Sequence, residues 1–347
     1  MPRLRLGFAF SIVMLASLPA SIGLAQQAGP YKVLKTAKVG GEGGYDYVSA
    51  DGDARRLYIA RTGAMPRLMV YDLDTLEAVG EISTTNAHGA AIDSKSGHGF
   101  ATSKPITMFD TKTLKVIKTV EVQGSPDGHF FDPFSQRVYV LSHVAPHVTA
   151  IDPKDGSVAG TADIGGMPEQ AASDGQGHLY IDVEDKENIA VLDTKTFTVT
   201  AHYDLTGKGG TCAGLALDSK NHVLFAACRN PAVMVILNAE DGKIITTLPI
   251  GMGSDGALFN PATMEAFSSQ GDGTLTIIKE NSPTSFAVEQ TLPTMTGART
   301  SALDRKTGHI ILIGAEFGPP TAPAQPGGRG GRGPLLPGSF SILVVGK

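Results

Sequence analysis

The chain has 347 residues, with 34 acidic and 29 basic side chains and a formal net charge of −5. Such a mildly acidic protein has no global field that draws in nucleic acid or an anionic lipid surface. Glycine is abundant, tryptophan is absent, and no stretch combines a long 3.6-residue apolar period with capping residues, which argues against a helical protein.

The first 25 residues read as a targeting segment. Arg3 and Arg5 precede an apolar run from Leu6 to Leu18, then Pro19, and then a small-x-small site at Gly23-Leu24-Ala25. This is the pattern of a secretory signal peptide, so the expected mature chain starts near Gln26 and is periplasmic or secreted. The apolar run is too short for a membrane span, which needs about 20 residues. No cysteine follows the cleavage site, and no other segment of the mature chain is long and apolar enough to span.

A lone strand, Tyr31–Val39 (YKVLKTAKV), comes next, followed by seven similar segments. In each, a short strand ends at an acidic or amide residue: Asp51, Asp93, Asp132, Asp174, Asp218, Asn260 and Asp304. Successive markers are 42, 39, 42, 44, 42 and 44 residues apart. A turn such as DGDARR or DRKTGH leads into a second strand centred on Tyr58, Phe100, Tyr139, Tyr180, Phe225, Phe267 and Ile311. Aspartate favours such turns because its carboxylate accepts hydrogen bonds from the next backbone N–H groups. A third strand closes at Asp72, Asp110, Asp152, Asp193, Asn238 and Lys279, and a fourth, such as KVIKTVEV, completes the unit.

Four short antiparallel strands per repeat of about 40–45 residues describe a propeller blade. The predicted fold is all-β: a single seven-bladed β-propeller over residues 26–347. Its seventh repeat stops after Ser339–Val345, so Tyr31–Val39 is expected to supply the missing outer strand and close the ring. Closure removes the sheet edges that would invite aggregation. Six blades with a separate terminal hairpin is the alternative architecture.

The strings VTAIDPKDGSVAGTADIGGMPEQ and IAVLDTKTFTVTAHYDLTGKGG resemble the YVTN/YncE-like β-propeller family, whose repeat joins two hydrophobic strands through a "DTxT" turn. The resemblance spans nearly all of the expected mature chain. It implies the blade type and leaves function open. The Trp-Asp dipeptides of WD-repeat propellers and the tryptophan docking motif of quinone-dependent dehydrogenases are absent.

In a propeller the first strand of each blade, strand A, lines the central channel. Five residues before each strand-A marker stand Asp46, His88, Asp127, Glu169, Ala213, Asp255 and Arg299, which predicts a largely ionisable ring at the channel mouth, with Arg299 its only cation. Converging charges in a concavity suggest a binding site. Wet channel lining is the competing reading. His129 is two residues from Asp127 and so on the same side of its strand. His88, Asp127, His129 and Glu169 are the types of ligand a divalent metal takes. His143 and His147 read as solvated loop residues of the third blade.

Cys212 begins strand A and Cys228 ends strand B of one hairpin, which places them opposite each other, as a disulfide or as two thiols. The Pro/Gly-rich loop Phe317–Gly338 falls on the same face, where Arg329 and Arg332 could meet an anionic group. No GxSxG, dinucleotide loop or nucleophile–base spacing is present. The functional expectation is an exported binding scaffold without catalysis or cofactor, whose ligand is an unknown protein or a small cation. A propeller enzyme with a divalent metal at the channel mouth (hydrolase, lactonase or lyase) is the alternative. Nucleic acid is disfavoured by the acidic charge and the 6% aromatic content.

Overall fold

The computed structural model describes Met1, residues 29–319 and residues 333–347. Residues 2–28, which hold the rest of the leader and the expected cleavage site, lie outside the described residues, as do Arg329 and Arg332. Among the described residues the regular structure is all strand, arranged as seven four-stranded antiparallel sheets, and no helix is long and apolar enough to cross a membrane. This is the seven-bladed propeller.

Blade 1 is built from Gly44–Asp51, Arg56–Thr62, Arg67–Asp72 and Ala78–Ser83, called strands A to D. The other blades repeat that order, with strand A innermost. The seventh departs from it. Its strands A to C are Ser301–Asp304, His309–Gly314 and Ser341–Gly346, and Lys32–Lys38 pairs antiparallel with the last of these as strand D. The closing register runs from Lys32 opposite Gly346 to Lys38 opposite Ser341, with a bulge between Val33 and Lys35.

The marker carboxylates do two jobs. Asp51 Oδ1 accepts the N–H groups of Asp53 and Ala54 at 3.1 and 3.0 Å, which forms the A–B turn. Its other oxygen accepts Ser94 Oγ of blade 2 at 3.1 Å. Likewise Ser173 of blade 4 donates to Asp132 of blade 3, and Arg55 of blade 1 donates to Asp304 of blade 7 at 2.9 Å. One residue type thus makes the turn and joins neighbouring sheets.

The core lies between blades. Tyr58, Phe100, Tyr139, Phe225 and Phe267, all from strand B, are essentially without solvent exposure and fill the gaps between adjacent sheets. Strand D is mostly exposed, as at Lys32–Lys38 and Val116–Val120. Behind the closing strand, Arg61 is buried and donates to the carbonyls of Gly40, Gly41, Glu42, Gly43 and Gly44. Its guanidinium stacks 3.9 Å from the Phe340 ring centroid. The loop 317–338 is closed at its base by a bridge between Phe317 and Leu335.

Candidate functional site

Strand A does not run straight to the channel mouth. In blades 1, 3, 4, 5 and 6 its register with strand B shifts between Tyr45 and Val48, Pro126 and His129, Pro168 and Ala171, Cys212 and Gly214, and Ser254 and Ala257. Asp46, Asp127, Glu169, Ala213 and Asp255 sit inside these bulges, which re-aim a side chain out of the pleat. His88 and Arg299 stand just before the A strands of blades 2 and 7. Close approach of neighbouring A strands needs small residues here. A Cβ on Gly128 would lie 2.5 Å from the Glu169 carbonyl oxygen, and one on Gly214 would lie 2.6 Å from the carbonyl carbon of Gly256.

The charged side chains form a closed circuit in blade order. Arg299 lies 3.8 Å from Asp46. Asp46 bonds His88 at 2.7 Å, and His88 lies 3.1 Å from Asp127 Oδ1. Asp127 Oδ2 is 3.0 Å from His143 Nε2, which is 3.8 Å from Glu169 Oε1. Glu169 neighbours Glu184, and Glu184 accepts an N–H of Arg229 at 2.6 Å. Arg229 pairs with Asp255, and Asp255 returns to Arg299 at 2.6 Å.

Two expectations are corrected by this geometry. Arg299 is not the only cation, because Arg229 enters from the end of strand B in blade 5. That blade has Ala213 in the ring column, and the vacancy gives the longer Arg229 side chain room to reach Asp255. His129 does not join the donor clusters. Its Nε2 bonds Ser49 Oγ at 2.9 Å, and its ring packs edge-to-face on Tyr47, 5.5 Å between centroids. The residues that can jointly offer metal ligands are Asp46 with His88 and Asp127, and Asp127 with His143 and Glu169.

His143, Glu184 and Arg229 were missed as ring members because they are not on strand A. They do share a sequence signal, each standing four residues after its strand-B centre, Tyr139, Tyr180 or Phe225. His147, on the same loop as His143, turns away to Asp163 at 2.6 Å.

Burial and charge set the protonation of the ring. Burial pushes the Asp46 carboxyl up against the pull of His88. Burial also opposes ionisation of Asp127, but the His143 and His88 imidazoles outweigh it and hold that carboxyl below its usual value. His88 is raised, chiefly by its bond to Asp46, and His143 chiefly by the Asp127 carboxylate beside it. Burial, then Glu184, Asp255 and Asp127, push Glu169 far above the usual carboxylate range. Burial drives His129 down to about 4, so it is neutral at pH 7.

Below the mouth the channel is bridged. Gln170 Oε1 accepts Leu215 N–H and Ala257 N–H at 2.9 and 3.0 Å, linking blade 4 to blades 5 and 6. Tyr47 of blade 1 donates to Glu169 Oε2 at 3.1 Å. Beside the mouth, Cys212 and Cys228 face each other across strands A and B of blade 5 and are joined by a disulfide. Arg229 follows directly. On the opposite face, a cleft of about 520 Å³ is lined by residues that include Asp51, Asp53, Ser94, Arg305 and Lys306.

Fold and mouth together define a seven-bladed β-propeller whose channel entrance is a ring of ionisable groups. No family model matches the chain. Over 164 residues it is 21% identical to the uncharacterized protein YncE of Salmonella typhi and equally to that of Salmonella typhimurium. The match covers 45% of this chain and 46% of each relative, so it spans just under half their length. Among solved structures, a chain of the mitotic checkpoint complex superposes with a TM-score of 0.69 at 11% identity, over 88% of this chain and 95% of that one. The U3-55K structure gives 0.69 at 10% identity, over 92% and 99%. These structural likenesses concern the fold alone.

Proposed function

We propose that the chain is an exported binding propeller, without catalysis of its own, that engages its partner on the face carrying the channel mouth. The observation that supports this reading is the circuit of partly buried charges converging from all blades but the fifth's strand A, with Arg229 completing it. Around it, on the B–C and D–A connections of the same face, stand the exposed apolar side chains of Met65, Val144, Met167, Met252 and Leu336. A polarised centre within scattered flexible apolar contacts suits a binding surface. Export is supported by the leader's charge pattern and by the disulfide, which suits an oxidising compartment.

The excess of carboxylates over arginines in the ring favours cationic groups on the ligand. The test is a thermal-shift screen of residues 26–347 against polyamines, basic peptides and divalent cations. Hits should vanish in Asp127→Ala and persist in Arg305→Ala and Lys306→Ala on the opposite face. Hits that respond only to the opposite-face changes, or no hits, overturn the reading. A second reading, a metal-dependent propeller hydrolase, lactonase or lyase, is favoured by the two histidine–carboxylate clusters. Hydrolytic turnover that requires an added divalent ion would select it.

A further inference from the structure

Around the mouth the groups alternate in sign, taking the histidines as cations: Asp46, His88, Asp127, His143, Glu169, then Glu184, Arg229, Asp255 and Arg299. The alternation fails once. Glu169 and Glu184 meet as two carboxyl groups, and one of them, Glu169, is 4% exposed. Two carboxyl groups with no cation between them repel when both are ionised, and burial strengthens the repulsion.

The same corner holds a nitrogen without a directed partner. His143 Nε2 is buried and makes no hydrogen bond, although Asp127 Oδ2 is 3.0 Å away. The three donors, His143 Nε2 and one oxygen each of Asp127 and Glu169, lie within 4.8 Å of one another. Each carboxylate here also has a second anchor. His88 lies against Asp127 Oδ1, and Tyr47 donates to Glu169 Oε2. Outer partners of this kind orient metal ligands and leave the remaining oxygens for the ion.

The geometry points to a divalent transition-metal site formed by His143, Asp127 and Glu169. One imidazole with two carboxylates suits Zn²⁺ or Mn²⁺ better than Mg²⁺, which prefers to keep several waters, or Ca²⁺, which takes six to eight oxygens. The ion takes the place of the missing cation and joins strand A of blades 3 and 4 to the B–C connection of blade 3. This inference rests on the reading of the channel mouth as the binding site and names one ligand of it.

The experiment uses chelator-stripped residues 26–347, with calorimetric titration and thermal shift for Zn²⁺, Mn²⁺, Mg²⁺ and Ca²⁺. One equivalent of Zn²⁺ or Mn²⁺ is expected to bind and raise the melting temperature, with Mg²⁺ and Ca²⁺ at least tenfold weaker. His143→Gln and Glu169→Gln should each weaken binding at least tenfold, and His147→Gln, whose imidazole pairs with Asp163 outside the ring, should leave it unchanged. Circular dichroism of each variant checks that it is folded. Absence of binding, or binding lost in His147→Gln rather than His143→Gln, overturns the site. If metal binding fails while polyamine binding still depends on Asp127, only the metal assignment falls. If both fail, the binding-face reading falls with it.

Discussion

Arg229, at the end of strand B in blade 5, ion-pairs with Asp255 in strand A of blade 6 and so supplies the charge that Ala213 leaves out of the ring column. Its other amino group binds Glu184 of blade 4 at 2.6 Å, so one guanidinium ties three blades together.

Removing Arg229 leaves Asp255 and Glu184 short of a partner, and both side chains are largely shielded from water. Arg229→Ala is expected to cost about 3 kcal/mol in denaturant unfolding, as for one partner lost from a buried pair. Arg229→Ala combined with Asp255→Asn should cost less than the two single changes added, because they share the contact. Strict additivity would show that the pair is not coupled.

The closing strand carries a second prediction. Tyr31 is anchored beside it: its N–H donates to Gln290 at 2.9 Å, its hydroxyl bonds Glu265, and its ring meets Phe267 edge-on at 5.4 Å. Deleting residues 26–39 removes strand D of blade 7 together with this anchor. The truncated protein should lose several kcal/mol and aggregate, because an inner strand becomes an edge. Light scattering and melting unchanged from the full chain would refute this.

For the cysteines the expected outcome is simple. Thiol titration of the protein unfolded without reductant should find none, and two after reduction. Cys228→Ser should lower stability by about 3 kcal/mol, the value for a loop of about 15 residues. The Arg229 contacts should loosen with it, since Arg229 is the next residue.

A pH effect follows from Glu280. This side chain in blade 6 is 3% exposed, accepts Asn221 at 2.7 Å, and lies beside Asp218. Burial, with Asp218 adding to it, raises its pKa from 4.5 to about 7. An acid held more weakly ionised in the folded state binds its proton more tightly there. Its contribution is therefore complete below about pH 4.5, is lost as the pH rises towards 7, and is absent above that. Glu280→Gln keeps the acceptor for Asn221 and offers an N–H to Asp218 Oδ2, which is buried without a partner. The variant should be more stable than the parent at pH 8 by about 1–3 kcal/mol and should lack the decline between pH 4.5 and 7. Parallel stability–pH curves for the two proteins would count against it.

Blade count was legible because it depends on local chemistry, and ring closure because the seventh repeat lacks a fourth strand that Tyr31–Val39 can supply. The turn aspartates recur at a near-constant interval, and each strand alternates around a buried aromatic or aliphatic centre such as Tyr58 or Phe267. The strand-A column at Asp46, Asp127 and Asp255 could be read for the same reason, since a repeat places equivalent residues at equivalent heights. His129 was misplaced by the same logic. Two-residue periodicity puts it beside Asp127, but the bulge between Pro126 and His129 breaks that periodicity and turns the imidazole down onto Tyr47 and Ser49.

The amino-acid sequence by itself determined the repeat, the number of blades and the column of ionisable residues, because each follows from a local pattern that recurs along the chain, and it marked the closing strand, which pairs Lys32 with Gly346, by its likeness to the strand KVIKTVEV. The pairing of those residues was decided only by tertiary structure. Glu184 meets Arg229, Arg229 meets Asp255, and His143 comes within 3.0 Å of Asp127, only once the closed ring brings strand-B ends and strand-A bulges of successive blades to one mouth. No period in the sequence encodes that encounter, since it depends on bulge geometry, side-chain length and the curvature of the ring.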